Sequence, residues 1–323
     1  MSKSIRIWLL VAAALVLIGC VLLGGAVTML KGNLEEMSTS KYETNRYEIN
    51  EGYKNIAIVA DTADITFVPG QDLSTAVVCY EQNNATHSVS VKDDTLTIEL
   101  VDARKWYEHI GIHWKKTKIT VYIPQGEYGN LSISANTGDV EIPKDFQFSS
   151  IHVSVSTGDV ICRASAVGAV TIAASTGDVD VEHITAASLA LSVSTGKVTV
   201  SDVHSEGDVT IRVSTGKTYL TDVTCKNLVS TGDTGDICLK NLVAAQNLSI
   251  KRSTGDVRLE GCDAADIAIQ TDTGDVTGTI LTDKFFVVST NTGRKEVPNG
   301  TSSGGKCEIT TNTGDIRIGI GQN

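Results

Sequence analysis

The segment 106–114 holds the side chains with the widest range of chemistry in this sequence. It contains two of the three tryptophans and two of the six histidines. Its aromatic rings could stack on a sugar or lie at a membrane interface, and its histidines could bind a metal ion. Glu108 is the nearest third ligand, but on a strand its side chain would face away from both histidines. We therefore favour a cap that packs aromatic rings over the end of a repeat domain, and we keep as a candidate ligand patch Trp106, Tyr107, His109, His113 and Trp114.

A row of charged residues follows a recurring Thr-Gly pair. Most positions of the row carry a carboxylate, the ligand type that Ca²⁺ prefers. Most repeats supply only one such group, however, and three repeats carry a cation there instead, namely Lys197, Lys217 and Arg294. Turn chemistry is therefore the favoured role, and the cations would relieve repulsion between neighbouring carboxylates. The carboxylates are Asp139, Asp159, Asp178, Asp236, Asp256, Asp275 and Asp315.

The sequence has no arrangement typical of an enzyme. Acid and base groups of a glycan-cleaving enzyme would have to converge at one place outside the repeat pattern, whereas the carboxylates here follow it. A nucleophile motif and a phosphate-cradling loop are also missing from the sequence. We predict a non-enzymatic protein with no catalytic residues, no metal and no cofactor. The formal net charge of −11 argues against nucleic acid as a partner, because phosphate binding needs clustered Lys and Arg.

The Thr-Gly pair recurs ten times, at steps of 19 to 21 residues. A near-constant period of this size is typical of a solenoid whose coils stack on one another. Gly supplies the positive φ that a tight corner needs, and the small polar residue before the Thr can hydrogen-bond its own backbone. The sequence therefore predicts an all-β fold, a β-solenoid of about ten coils of 19–21 residues. The structural turn glycines are Gly138, Gly158, Gly177, Gly196, Gly216, Gly235, Gly255, Gly274, Gly293 and Gly314, with Gly314 in the last coil.

Apolar residues occupy fixed positions relative to the corner Gly. The positions seven and five residues before it, and two and four residues after it, carry mainly Val, Ile and Leu. Because a strand alternates its faces with period two, these positions are predicted to form inward-facing columns on two strands. A further inward position lies seven residues after the Gly. Cys162, Cys262 and Cys307 fall in these columns, and we expect them to be buried apolar fillers.

The coil at Gly235 departs from this pattern. Ser230 and Gly232 fall at its inward positions, so we expect it to be the weakest coil. Arg252 stands three residues before the next corner Gly, where we expect its long side chain to reach solvent. Cys225 and Cys238 flank Gly235, and the sequence leaves open whether they form a disulfide.

The N-terminal residues predict a membrane anchor. No charged residue occurs from Ile7 to Leu30, and a membrane-spanning helix needs roughly 20 apolar residues. Lys3 and Arg6 precede this run, so the positive-inside bias would keep the N-terminus cytoplasmic and export the rest. An alternative is lipidation, because the residues ending at Cys20 resemble the lipobox of bacterial lipoproteins. We predict a single-pass protein of the cell membrane with an extracytoplasmic solenoid.

The chain divides into five predicted segments. Residues 1–6 are a cytoplasmic N-terminus, residues 7–30 the transmembrane helix and residues 31–41 a polar stalk. Residues 42–125 alternate short apolar strands with turns and are predicted to form a β-rich cap region. Residues 126–323 contain the solenoid repeats. A solenoid needs such a cap because its terminal coil would otherwise expose the core.

The order of these features resembles a known bacterial family. An apolar N-terminal helix is followed by Thr62-Ala63-Asp64-Ile65, a degenerate copy of the corner motif. Next come Ile119 to Pro124, closing on Tyr-Ile-Pro, and then repeated Ser-Thr-Gly-Asp-Val. This order is similar to that of the bacterial putative-adhesin family (domain of unknown function 4097) in its membrane-anchored form. The resemblance implies a surface β-repeat protein, and it brings no established binding or catalytic residue.

Outward positions of the coils are rich in Ser and Thr, which suits weak, multivalent contact. We expect a non-catalytic adhesin or envelope-interaction module, with the membrane as a partner through its N-terminal helix and a surface glycan, an envelope polymer or a protein as a further partner. The alternative is an envelope-stress or signalling component acting through a membrane protein, since Gly19, Gly24 and Gly25 would let transmembrane helices pack closely. The outward hydroxyl residues are Ser132, Ser134, Ser154, Thr171, Ser192, Thr210, Ser249, Ser289 and Thr310.

Overall fold

The computed structural model describes residues 3–29, 41–70, 74–104, 116–300 and 304–321. These residues form one helix followed by strands, and the strands build a β-solenoid of about nine turns. The predicted all-β solenoid is therefore confirmed. Its hydrophobic core is one continuous cluster that runs through the stacked coils.

Helix α1 spans Lys3–Met29. The first strands are β1 (Tyr42–Ile49), β2 (Asn55–Thr62), β3 (Asp64–Pro69), β4 (Thr75–Gln82), β5 (Ala85–Lys92), β6 (Thr95–Asp102) and β7 (Lys118–Ile123). The central strands are β8 (Gly126–Thr137), β9 (Val140–Ile142), β10 (Phe146–Thr157), β11 (Val160–Cys162), β12 (Ser165–Ala166), β13 (Ala169–Thr176), β14 (Val179–Ala186), β15 (Ser188–Thr195), β16 (Val198–Ser205), β17 (Asp208–Thr215), β18 (Thr218–Thr234) and β19 (Ile237–Thr254). The last strands are β20 (Val257–Thr273), β21 (Val276–Ile280), β22 (Phe285–Thr292), β23 (Lys295–Glu296), β24 (Lys306–Thr313) and β25 (Ile316–Ile320).

Neighbouring coils of the rod pair in parallel and in register. In one coil, β15 ends just before the corner Gly and β16 begins just after it, and each pairs with the equivalent strands of the coils on both sides. Leu191, for example, pairs with Ile172 on one side and with Ile211 on the other. Residues at one repeat position therefore lie in a column, and the alternating apolar residues all face the core.

The predicted core columns are buried. Leu189 and Leu191 before the corner, and Val198 and Val200 after it, lie in the core cluster. The three cysteines of these columns, Cys162, Cys262 and Cys307, are fully buried among apolar side chains, which confirms that they act as fillers. All cysteines of the chain, including Cys225 and Cys238, are free thiols.

Arg252 is a cation buried inside the rod. Its side chain does not reach solvent, contrary to the expectation from sequence, and only 2% of the residue is exposed. Its Nη2 donates to Thr218 Oγ1 at 3.2 Å and to Ser230 Oγ at 3.0 Å. A side chain on Gly232 would overlap the guanidinium. Ser230 and Gly232 thus provide an acceptor and space for Arg252, whose pKa is lowered because burial removes the charge from water.

At the N-terminal end the coils stack out of chain order. Strand β2 pairs in parallel with β8 on one side and with β6 on the other, and β3 lies likewise between β9 and β7. The earlier strands β2 and β3 therefore form an inner coil, and the later strands β6 and β7 form the coil outside it. The corner of the inner coil is at Ala63, whose amide donates to Thr137 O at 2.9 Å, as expected for a degenerate corner motif.

The C-terminal end shows the same inversion. Strand β24 pairs with β20 on one side and with β22 on the other, and β25 lies between β21 and β23. The chain therefore passes from β21 to the outermost coil, which β22 and β23 form. It then returns, and β24 and β25 form the coil between that one and the coil of β20 and β21. The coil at Gly293, and not the coil at Gly314, lies at the C-terminal end of the rod. Chain order led to the wrong expectation because it does not fix which strands pair.

Three antiparallel strands close the N-terminal end, and we call β1, β4 and β5 the N-terminal cap. Strand β4 pairs with β7 of the outermost coil, β1 pairs with β4, and β5 pairs with β6. These strands extend the two sides of the outermost coil and cover its core. Residues 42–125 thus contain both coil strands and cap strands.

The N-terminal helix does not support the predicted membrane span over residues 7–30. Throughout the described part of the chain, no helix combines the length and the apolar character required to cross a bilayer. The predicted single-pass localisation in the cell membrane is therefore wrong.

Candidate functional site

The corner glycines have a conformation and an environment that exclude a side chain. All ten have φ between +131° (Gly235) and +157° (Gly293). At Gly177, an added Cβ would overlap the carbonyl oxygen of Gly158 in the preceding coil. The amide of Gly177 donates to Thr195 O of the following coil at 3.0 Å. These glycines therefore serve the close stacking of the corners.

The aspartates after the corner glycines bind backbone amides. Asp139 Oδ1 accepts a hydrogen bond from the amide of Asp159 at 2.9 Å, and Asp159 Oδ1 accepts one from the amide of Asp178 at 2.7 Å. The same contact recurs towards the C-terminus, where Asp275 accepts from the amide of Asp315 at 2.7 Å. Each carboxylate thus ties its corner to the next one. This geometry supports turn chemistry rather than a calcium site.

Cations stand where this row of aspartates is interrupted. Lys197 Nζ lies 3.4 Å from Asp178 Oδ2, and Lys217 Nζ lies 3.0 Å from Asp236 Oδ2. The hydrogen bond from Lys217, together with the amide of Asp256, lowers the pKa of Asp236. The interrupting cations therefore pair with the row and reduce the repulsion between its carboxylates.

The N-terminal cap contains a buried acid–base pair. Glu81 of β4 and His87 of β5 have side chains that are 0% and 3% exposed, and His87 Nδ1 lies 2.6 Å from Glu81 Oε2. The amide of His87 also donates to Oε2 at 2.7 Å, and Asn45 Nδ2 donates to Oε1 at 2.8 Å. Cys79 lies on the same face of β4, and burial raises the pKa of its thiol to about 12.

These three side chains form the one cluster of potential metal ligands in the described residues. Ligand atoms of Cys79, Glu81 and His87 lie within 4.8 Å of one another. Two ligands of one Zn²⁺ ion, each about 2.0–2.2 Å from the metal, would stand further apart than the 2.6 Å between His87 Nδ1 and Glu81 Oε2. The arrangement is therefore that of a hydrogen-bonded pair.

A pocket of about 180 Å³ lies beside this pair. His87 forms part of its wall, and His87 Nε2 is buried without a hydrogen-bond partner. Thr117 Oγ1, also in the wall, is likewise buried and unpartnered. Tyr42 and Leu100 provide apolar surface, and Arg104 lines another side. Beside its apolar surface the pocket thus has two buried polar atoms without a hydrogen-bond partner among the described residues.

The family described as Toastrack DUF4097 matches residues 53–214 and 204–323, which together cover most of the chain. The chain belongs to the Toastrack family. This confirms the resemblance seen in the sequence, because the matched residues include both the coils and most of the N-terminal cap. No curated protein matches the chain.

The solved structures that this Toastrack chain matches have low sequence identity to it. A putative adhesin from Bacteroides fragilis is 15% identical, with a TM-score of 0.42 over 87% of this chain and 98% of that one. A putative adhesin from Parabacteroides distasonis is 14% identical, with a TM-score of 0.45 over 85% and 98%. A putative lipid binding protein from the same species is 12% identical, with a TM-score of 0.28 over 87% and 98%.

The candidate ligand patch predicted from the sequence of this Toastrack chain lies outside the described residues. Residues 105–115 contain all of it, namely Trp106, Tyr107, His109, His113 and Trp114. The ligand role of these residues stays a prediction. The described residues on either side of this segment, Arg104 and Lys116, both line the pocket beside His87.

Sequence reasoning missed the polar residues inside the cap. Glu81 continues the alternation of Val77 and Cys79 on β4, and all three side chains are buried. The available signal was a carboxylate at a strand position that alternation places on the buried, apolar face. A charge buried there requires hydrogen-bonding or ionic partners. Its partner His87 lies beyond a turn, and no spacing in the sequence predicts that pairing.

A second column of left-handed residues was also missed in this Toastrack chain. These non-glycine residues have φ between +50° and +56° at a bend within the second strand of each coil. Their side chains bond from coil to coil, as when Asn241 Nδ2 donates to Asp222 Oδ1 at 2.9 Å. His, Asp and Asn at steps of 19 or 20 residues were the available signal, because Asn and Asp tolerate this backbone region best. The column consists of His183, Asp202, Asp222 and Asn241.

Proposed function

We propose that this protein is a non-catalytic binding protein of adhesin type, which contacts a repetitive polymer through the outward face of the strands that precede the corner glycines. The polymer would be a surface glycan or another envelope polymer. The observation that carries the proposal is a regular array of small hydroxyl side chains along one parallel sheet.

Register between coils produces this array. Ser154 pairs with Ser134 on one side and with Ala173 on the other, and Ala173 pairs with Ser192. The three serines are exposed. Strand spacing places equivalent positions about 4.8 Å apart, so the hydroxyl groups of this column stand one or two strand spacings apart. A polymer with a short repeat could therefore make the same weak contact many times, and such contacts add up through multivalency.

Charge is distributed unevenly around the coils, which also supports this face. The carboxylates follow the corner glycines, where they bind backbone amides. The outward positions of β10 and β15 next to Ser154 and Ser192 are His152 and Ala190, so the sheet carries little charge from Ser134 to Ser192, up to Arg212, which pairs with Ser192. A neutral polymer could approach such a surface without displacing tightly hydrated charges.

Binding of the full chain to immobilised polysaccharides and cell-wall polymers tests the proposal. The double variant Ser154→Glu, Ser192→Glu adds two charges to the proposed face and should reduce retention of the bound polymer at least tenfold. The matched control Thr185→Glu, Thr224→Glu adds the same charge at exposed positions of another face. Equal retention of both variants, or no retention of wild type on any polymer, would overturn the proposal.

The alternative role, signalling through a membrane protein, was based on Gly19, Gly24 and Gly25 of α1. A Cβ added at any of these glycines would meet nothing within 4 Å. No observation favours this role over polymer binding, so it stays a prediction.

A further inference from the structure

We propose that two copies of this chain associate through the C-terminal ends of their rods, with strand β22 of one copy pairing antiparallel to β22 of the other. The interaction surface consists of residues 285–292, on the side of β22 that faces away from β24, and we call it the C-terminal end face. This inference does not depend on polymer binding by the outward face of the coils.

The first observation is an edge with backbone groups that can accept another strand. Among the residues that the structure describes, β22 pairs with β24 and with no other strand. The amide of Phe285 donates to Gly305 O, just before β24, at 2.8 Å. Backbone groups alternate sides along a strand, so those of Phe286, Val288 and Thr290 point away from β24. A second strand could therefore pair with β22 without disturbing the rod.

The second observation is that the core is incompletely covered at this end. Phe286 and Val288 lie in core columns and are only partly buried, whereas their partners in β24 are fully buried. Val297, after β23, packs against the same end of the core. On the outward side of β22, Phe285 and Val287 are exposed. Both faces of this edge strand thus offer apolar surface that a partner would bury.

The third observation is a difference between two edge strands of the chain. In the described part of the N-terminal cap, β1 pairs with β4 alone, and it carries Glu43, Arg46 and Glu48. Charged side chains on an edge strand oppose pairing with another chain. Strand β22, over Phe285–Thr292, has no charged residue and no proline. The edge of β22 therefore lacks the protection that β1 has, as expected of a strand with a partner.

Symmetry and charge favour a second copy of the chain as this partner. The antiparallel strands of the N-terminal cap cover the other end of the rod, so the two unlike ends cannot stack as neighbouring coils do. A two-fold axis near Val288 or Ser289 makes the pairing antiparallel. It brings Asp283, just before one strand, beside Arg294 and Lys295, just after the other. Parallel pairing of the same strands would instead place like charges together.

The same two-fold axis also joins the two cores. Because the axis is perpendicular to the sheet, inward residues of both copies stay on the inward side. Phe286 and Val288 of each copy would then cover the open end of the other core. The interface would therefore continue the stacking that holds the coils together within one chain.

Sedimentation velocity of the full chain over a range of concentrations tests this inference, and we expect a reversible dimer. The double variant Phe285→Lys, Val287→Lys should raise the dissociation constant about tenfold or more, because like charges would meet at the interface. The control Val59→Lys, Val243→Lys adds the same charge at exposed valines of β2 and β19, which are paired on both sides, and should leave it unchanged. Any association through α1 would be equal in the two variants.

Disulfide crosslinking tests the antiparallel arrangement. With the axis at Ser289, Ser289→Cys should crosslink with itself under mild oxidation. With the axis at Val288, it should crosslink with Val287→Cys in an equimolar mixture. Both pairs would be directly opposite each other, within the Cα separation of about 4.4–6.8 Å that a disulfide needs. Wild type oxidised in the same way gives the background from the native cysteines.

Three results would overturn the inference. The first is a wild type that stays monomeric at about 100 μM, where a dimer of micromolar affinity would be mostly formed. The second is a dimer that the two lysine variants weaken equally or not at all, because the contact would then lie elsewhere. The third is crosslinking at the wild-type level both for Ser289→Cys alone and for its mixture with Val287→Cys.

Discussion

The N-terminal cap and the central rod belong to the same sheet, but different types of side chain fill their interiors. The inward positions of β13, β15 and β17 are Val, Ile, Leu and Ala, and each is covered by the equivalent residue of the next coil. The cap instead buries Glu81 and His87. A repeated coil can stack on simple apolar contacts, whereas the cap occurs once and can hold a specific polar pair. Stability in the rod should therefore be spread over many contacts, and in the cap it should depend on a few.

The two ends of the rod differ in how the outermost coil is covered. At the N-terminal end, antiparallel strands cover the outermost coil. At the C-terminal end, the outermost coil carries β22, in which Phe285 is 53% exposed and Val287 39%. An edge strand with exposed apolar side chains is free to pair or to fray. The buried pair of Glu81 and His87 thus lies at the covered end.

The largest effect is expected from breaking the polar pair of the cap. Glu81→Ala should lower the free energy of unfolding of the cap by about 3–5 kcal/mol, because it leaves buried donors of His87 and Asn45 without an acceptor. Hydrogen exchange of the amides in β4 and β5 measures this locally. The control Glu260→Ala removes an exposed partner of Arg258 and should cost about 0–1 kcal/mol. Similar losses in both variants would contradict the contrast between cap and rod.

Replacing buried Arg252 and its partners by apolar residues is the opposite test, because it should stabilise the rod. The triple variant Thr218→Val, Ser230→Ile, Arg252→Val restores apolar columns and should raise the free energy of unfolding by about 1–4 kcal/mol. Ser230→Ala alone should lower it by about 1–3 kcal/mol, because Arg252 loses an acceptor at 3.0 Å. Urea unfolding measures both changes. A less stable triple variant would show that Arg252 stabilises the rod.

The corner glycines test how strain spreads along the rod. Gly177→Val and Gly293→Val should each introduce strain of about 1–3 kcal/mol, because both glycines have positive φ and a Cβ would overlap the corner of a neighbouring coil. The coil of Gly177 is stacked between two other coils, so this variant should expose the middle of the rod to protease. Gly293 lies in the outermost coil, so its variant should only fray the end. Gly314→Val should resemble Gly177→Val, and cleavage confined to the C-terminus in that variant would contradict the stacking order.

The smallest effect is expected from the aspartate row in acid. The pKa of Asp236 is lowered, chiefly by the hydrogen bond from Lys217, so its folded pKa lies below its unfolded one. Its contribution to stability is present above the unfolded pKa and is lost as the pH falls through the folded pKa. Asp236→Asn should therefore reduce the loss of stability between neutral pH and acid, by a small amount because the group is largely solvated. Parallel acid titration curves for the variant and wild type would show that the contact is not stabilising.

Particular residues show how far the sequence could predict the molecule. The period of the Thr-Gly corners predicted the solenoid, and the alternation around them predicted Leu191 and Val200 as core. The expectation for Arg252 was wrong because a column position does not tell where a long side chain finds space, and that space came from Gly232 in another coil. The membrane span was wrong because the absence of charge from Ile7 to Leu30 was taken as sufficient. The cap pair was missed because Glu81 and His87 each lack a repeat to align with.

By itself, the sequence determined the coil, its corners and its core columns, because a repeat fixes the same local conformation and the same inward faces each time. Only the tertiary structure decided the order in which the coils stack at the two ends. Strand β2 lies between β6 and β8, and all three strands show the same alternation of apolar residues. Ile56 and Ile58 of β2 pair with Leu96 and Ile98 on one side and with Leu131 and Ile133 on the other. Strands with the same alternation cannot be told apart as pairing partners from the sequence alone. Which of them became neighbours, and so where the cap, its buried pair and its pocket lie, was settled by how the whole chain buries its ends.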